Sequence, residues 1–133
     1  MTYGFHVDAA VFPSEPPMRS DVSCTVFISA PEEYEGGELE IQSGSGLLRF
    51  KGNAGDAVVY PSTTIHRVAP ITSGERLVAI NWFQSTIRDQ RCRDILNQIQ
   101  QIDNLLYAAG DPKGGRLMVD AVRTNLLRMW AET

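Results

Sequence analysis

Histidine, cysteine and tryptophan each occur only twice in the 133 residues, and lysine and arginine nowhere form a run. Each scarcity narrows the function. Cys24 and Cys92 stand alone, without the paired spacing of a zinc site or the density of a disulfide scaffold. They read as reduced, buried thiols in a cytoplasmic protein. Nucleic-acid binding requires lysines and arginines clustered on one face, and a chain of net charge −4 without basic clusters offers none. No apolar stretch reaches the length of a membrane span, and no charged-then-apolar leader opens the sequence. The length still suffices for one domain with a real core. The two histidines, His6 and His66, are the residues to explain.

What is present divides near residue 85. Residues 1–85 carry short β-rich segments: Tyr3–Asp8, Val22–Ser29, Gly37–Gln42, Leu47–Lys51, Asp56–Tyr60, Ile65–Ala69 and Arg76–Phe83. Turn residues such as Pro31, Gly36, Gly44, Gly55 and Gly74 bound them. Strands at this regular spacing predict an all-β sandwich or barrel. Residues 86–133 predict two helices that pack on the core or on a partner. Thr86 and Asp89 resemble a capping box opening a helix over Ile87–Ala108, with Ile95, Ile99, Ile102 and Leu106 along one face. A second helix over Arg116–Trp130 aligns Met118, Val122, Leu126 and Trp130. Such stripes are packing surface.

In a strand over Tyr3–Asp8, His6 and Asp8 lie two apart and project to the same face. Should the strand beginning at His66 lie opposite, two imidazoles and one carboxylate converge. That set occupies one face of an octahedral metal and leaves three positions open, as in non-haem Fe(II) oxygenases. A structural zinc site would need a fourth ligand, and none suggests itself. Arg76 lies ten residues beyond His66, across Pro70-Ile-Thr-Ser-Gly74, a spacing that suits a hairpin returning beside the His66 strand. A guanidinium held below the metal needs an anion, and a carboxylate matches its fork. A dicarboxylate such as 2-oxoglutarate satisfies both ends. Alone, an H-x-D strand or a single arginine is commonplace; their order and spacing together are specific.

That pattern resembles the prolyl 4-hydroxylase-like branch of the 2-oxoglutarate dioxygenases. Tyr3-Gly-Phe-His-Val-Asp8, Tyr34-Glu-Gly-Gly-Glu-Leu39, Ala54-Gly-Asp-Ala-Val-Val-Tyr-Pro-Ser62 and Gln84-Ser-Thr-Ile-Arg-Asp89 resemble more closely the bacterial PKHD-type hydroxylases. The likeness runs over essentially the whole chain. It implies a double-stranded β-helix (jelly roll) with a helical C-terminal tail, Fe(II) on His6, Asp8 and His66, and the 2-oxoglutarate carboxylate on Arg76. It further implies Ser23, Thr25, Phe27 and Trp82 along the cosubstrate pocket, although several relatives carry tyrosine at the place of Phe27. Ascorbate as the reductant of the iron is implied by resemblance alone. Relatives of this type carry helices and a strand before the H-x-D segment, whereas Met1 lies five residues before His6. A truncated chain is thus expected.

The substrate is not encoded in any motif. Loops Ala9–Asp21 and Glu32–Gly37 are expected to surround the mouth of the barrel, and a small molecule or a peptidyl residue remains open, as does a homo-oligomer. Three other classes compete with the hydroxylase: a zinc hydrolase or cupin-like enzyme, a non-catalytic binding module or inactive fragment, and an interaction domain built on the helical tail.

Overall fold

Runs of Val, Ile, Thr and aromatic residues closed by turns become ten short strands, and the two breaker-poor stretches become helices. In the computed structural model, residues 4–132 are described. The strands are β1 (Val11–Phe12), β2 (Met18–Arg19), β3 (Val22–Phe27), β4 (Tyr34–Gly36) and β5 (Leu39–Ser43), then β6 (Gly46–Phe50), β7 (Ala57–Pro61), β8 (His66–Val68), β9 (Ile71–Gly74) and β10 (Val78–Phe83). The helices are α1 (Gln90–Ala108) and α2 (Gly115–Trp130). The chain divides into two compact units, residues 1–84 and residues 85–133.

All sheets of the first unit are antiparallel. One three-stranded sheet runs β10-β3-β7 and a second runs β6-β5-β8; β1 pairs β2, and β4 pairs β9. Register fixes which side chains share a face, because residues two apart in a strand point the same way. Ser23 stands opposite Trp82 and Tyr60, and Thr25 opposite Ile80 and Val58. Leu39, Ile41 and Tyr60 form a buried cluster backed by Phe50 and Val58, so side chains of both three-stranded sheets meet in one core. On the other face of β5, Glu40 is buried between its cross-strand neighbours, with Arg49 Nε at 2.8 Å and Arg67 Nε at 2.5 Å. Those two guanidinium groups hold the Glu40 carboxyl below its ordinary pKa, which makes burial of the charge tolerable.

Several expectations are corrected. Tyr3 lies outside the described residues, and Phe5–Asp8 is no strand: only His6 pairs, in a single bridge to His66. The segment Pro70–Gly74 is not a hairpin turn. Ile71–Gly74 is β9, paired to β4, and the strand after Arg76 joins β3 rather than β8. Turn-like composition hid that pairing. Gly74 has φ +76°, and a Cβ there would run into the Glu33 carbonyl, so glycine here is what permits two backbones to close up. The proposed substrate loop Ala9–Asp21 contains the small β1–β2 pair.

In the second unit, α1 starts three residues later than expected. Asp89 itself is the N-cap and accepts from Arg91 N at 2.9 Å, leaving Ile87 to bridge Ala131. Asp111 accepts from Gly115 N at 2.7 Å and so closes the start of α2. Ile99, Ile102, Met118, Val119 and Val122 line the seam between the helices. Arg116 grips Asp103 with two hydrogen bonds of 2.8 and 3.0 Å. Among the described residues no helix is long and apolar enough to cross a membrane.

Candidate metal and cosubstrate site

The bridge between His6 and His66 builds the site from the backbone. Each N–H donates to the other residue's carbonyl, at 3.0 and 2.9 Å, and an antiparallel pair places both side chains on one face. The two rings lie 4.4 Å apart between centroids. Each imidazole is oriented by its own chain: His6 Nδ1 lies 2.8 Å from the Gly4 carbonyl and His66 Nδ1 2.9 Å from the Thr64 carbonyl. A carbonyl can only accept, so Nδ1 is the donor in each ring, and a neutral imidazole held this way has its lone pair on Nε2.

Both Nε2 atoms face Asp8. Its Oδ1 lies 3.7 Å from His66 Nε2 and 3.9 Å from His6 Nε2. One ligand atom from each of the three residues falls within 4.8 Å of the others. His66 is buried and Asp8 nearly so, whereas 40% of the His6 side chain is open to solvent. The triad expected from spacing is thus brought together, by a bridge rather than by two facing strands.

A cavity of about 300 Å³ extends from the triad. Leu39, Val68 and Ile80 give it an apolar wall, while Thr25, Tyr60, Trp82 and Arg76 bring polar groups to it. Arg76 is the anomaly. Its Nε and Nη2 are buried and have no hydrogen-bond partner among the described residues, as is true of Trp82 Nε1 and the Tyr34 hydroxyl. Burial pushes the Arg76 guanidinium down from its ordinary pKa, an effect that the Tyr34 and Tyr60 hydroxyls oppose. A buried cationic fork without an acceptor is costly, and a carboxylate would satisfy it. Its placement is well enforced. The Ser29 hydroxyl donates to the Glu75 carbonyl at 3.1 Å and accepts from Leu77 N at 2.9 Å, clamping the chain on either side of Arg76. Gly37 leaves room for the stem, since a Cβ there would come within 2.9 Å of Arg76 Cδ and 3.1 Å of the Tyr34 ring.

The remaining expected residues separate. Thr25 and Trp82 line the cavity. Phe27 is buried below it, with the Arg76 guanidinium 5.8 Å from its ring centroid. Ser23 is fully buried and hydrogen-bonds to Asp8. Tyr60 was missed, although it sits in the Ala54–Ser62 segment and two-residue alternation in β7 puts it on the Val58 face. Its ring packs edge-on to His66 at 5.0 Å, and burial raises its phenol pKa, so it is a donor.

The match to known proteins agrees with this geometry. The family model described as the 2OG-Fe(II) oxygenase superfamily matches residues 1–84. A PKHD-type hydroxylase of Sphingopyxis alaskensis is 46% identical over 131 residues, which is 98% of this chain and 60% of the relative. A PKHD-type hydroxylase of Synechococcus sp. is 42% identical over 133 residues, 99% of this chain and 59% of that one. The chain therefore spans about 60% of the length of these relatives. Among solved structures, an oxidoreductase of the 2OG-Fe(II) oxygenase family from Burkholderia pseudomallei is similar in fold. It has a TM-score of 0.50 and 20% identity, over 62% of this chain and 37% of that one.

Proposed function

The chain belongs to the 2OG-Fe(II) oxygenase superfamily, and from that premise we propose that it is the catalytic core of an Fe(II)- and 2-oxoglutarate-dependent dioxygenase. It hydroxylates a small-molecule or peptidyl substrate and releases succinate and CO2. What supports this most is one cavity with two unmet demands: three convergent ligand atoms suited to a cation, and a buried guanidinium in want of an anion. A zinc hydrolase would leave the second demand unanswered. The two three-stranded sheets sharing one core are then the walls of a double-stranded β-helix.

Fe(II) and 2-oxoglutarate, when bound, supply the oxidising chemistry; the protein holds, orients and shields them. His6 and His66 offer Nε2 and Asp8 offers Oδ1, a facial set that keeps three metal positions open. Arg76 takes the distal carboxylate of 2-oxoglutarate with its fork. Thr25, Tyr60 and the Trp82 N–H are donors along the same cavity. Phe27 has no hydroxyl to add and serves by packing its ring beneath Arg76. Leu39, Val68 and Ile80 keep water from the cosubstrate. Ascorbate as the reductant and a cytoplasmic location belong to the same proposal, and nucleic acid is not a partner in it.

The test is turnover. Protein loaded with Fe(II) and 2-oxoglutarate is exposed to oxygen together with fractions of a metabolite extract. Expected is succinate formation that depends on Fe(II) and disappears in His66→Ala. 2-Oxoglutarate bound together with iron but never consumed, in any fraction, would instead identify a binding module.

A further inference from the structure

Asp8 Oδ1 faces the imidazoles. Oδ2 is engaged by Ser23, whose Oγ donates to it at 2.5 Å. Ser62 Oγ lies 2.8 Å from Ser23 Oγ, and Ser20 Oγ donates to Ser62 Oγ at 2.8 Å. The direction of every bond follows from the last acceptor. A carboxylate oxygen that accepts leaves the single Ser23 proton committed to Asp8. Ser62 must then donate to Ser23, and in turn it accepts from Ser20. Three O–H dipoles therefore run head to tail toward one carboxylate.

The three hydroxyls come from different places in the fold. Ser20 precedes β3, Ser23 lies within it, and Ser62 follows β7, with its N–H donating to the Asp21 carbonyl at 3.2 Å. They are 7%, 0% and 3% exposed. Away from water such a chain is polarised by its own members and resists reorganisation. Alanine would fill these positions without any polar group to satisfy, so the hydroxyls serve the acceptor at the end of the chain.

We propose that Ser20, Ser23 and Ser62 are positioning residues that hold Asp8 with Oδ2 engaged and Oδ1 presented alone to the metal. The proposal rests on the metal triad described above. Groups that orient a metal ligand typically contribute roughly 10–100-fold in metal affinity.

The experiment titrates Mn(II) alone into the full chain without oxygen and reads free Mn(II) by electron paramagnetic resonance. It is run at a temperature where circular dichroism shows each variant folded. Ser23→Ala is expected to raise the Mn(II) Kd by roughly 10–100-fold, Ser62→Ala and Ser20→Ala by progressively less. Ser23→Thr, which keeps the hydroxyl, is expected to restore binding. Should Ser23→Ala not fold, the gradient from Ser62→Ala to Ser20→Ala carries the test. Unchanged Kd values with only a lowered melting temperature would mean that the serines merely pack, and would overturn the proposal. Asp8→Ala separates the two levels. If it loses Mn(II) while the folded serine variants bind normally, the triad stands and the relay falls. If it binds like the wild type, both fall.

Discussion

In residues 4–84 the side chains withdrawn from water are more often polar than apolar: Ser20, Asp21, Ser23, Thr25, Ser29, Glu40, Ser62 and His66 are buried alongside Cys24, Phe27, Tyr34, Leu39, Ile41 and Tyr60. In residues 85–132 the imbalance runs the other way. Neither helix has a fully buried residue among those described, and Leu105 and Leu117 are 71% and 76% exposed. Buried polar groups destabilise unless partnered, so the first unit must account for each of them. The serine chain and the Glu40 pairs meet part of that demand. Among the described residues the unpartnered buried side-chain atoms belong to Tyr34, Arg76 and Trp82, and the last two line one cavity. The helical unit contains exposed ion pairs, which contribute little, and no comparable demand. Function is to be sought where polar burial is left unmet.

That contrast can be broken most sharply at the proposed metal ligands. Asp8→Ala and His66→Ala are each expected to abolish Fe(II) binding while leaving the helical circular dichroism unaltered, because three protein ligands leave no redundancy. Wild-type iron content by elemental analysis in either variant would contradict the triad. Arg76→Ala should keep its iron and bind 2-oxoglutarate more weakly by about 3–5 kcal/mol, the usual consequence of removing one member of a buried charge pair. Arg76→Lys should recover only part, since an ammonium lacks the fork. Calorimetry on iron-loaded protein reads both.

Leu39→Ala should destabilise the β unit by about 2–5 kcal/mol in urea unfolding followed by Trp82 fluorescence. An unfolding midpoint equal to that of the wild type would show that the shared core is not what holds the sheets. The smallest effect lies in the second unit. Arg91, bonding through its side chain and its backbone N–H, lowers the Asp89 carboxyl from 3.8 to about 2. A depressed folded pKa contributes stability above 3.8 and loses it as pH falls toward 2. The helical signal should therefore weaken slightly across that window, and Asp89→Ala should remove the pH dependence. A signal with the same pH dependence in the variant would assign the effect to another carboxylate.

The triad and Arg76 were legible because their chemistry depends on residue type and order, and histidine is scarce enough to stand out. The serine relay was not. Ser20, Ser23 and Ser62 are scattered in sequence, and serine is as common in turns as in buried networks. Ser23 was expected along the cosubstrate pocket; it hydrogen-bonds to Asp8. Pro70-Ile-Thr-Ser-Gly74 read as a turn by composition, and only tertiary pairing with Tyr34–Gly36 makes Ile71–Gly74 a strand. The H-x-D segment read as a strand by alternation, yet a single backbone bridge at His6 suffices to align it with His66.

One measurement bears most directly on a metal and a dicarboxylate sharing this cavity: the visible spectrum of the Fe(II)-loaded protein as 2-oxoglutarate is added under argon. Chelation of Fe(II) by the keto acid produces a charge-transfer absorption that neither component shows alone. Expected is a saturable band at one equivalent, absent in Asp8→Ala and requiring far more 2-oxoglutarate in Arg76→Ala. A wild-type protein that binds both components and develops no band would place them in separate sites and contradict the shared cavity.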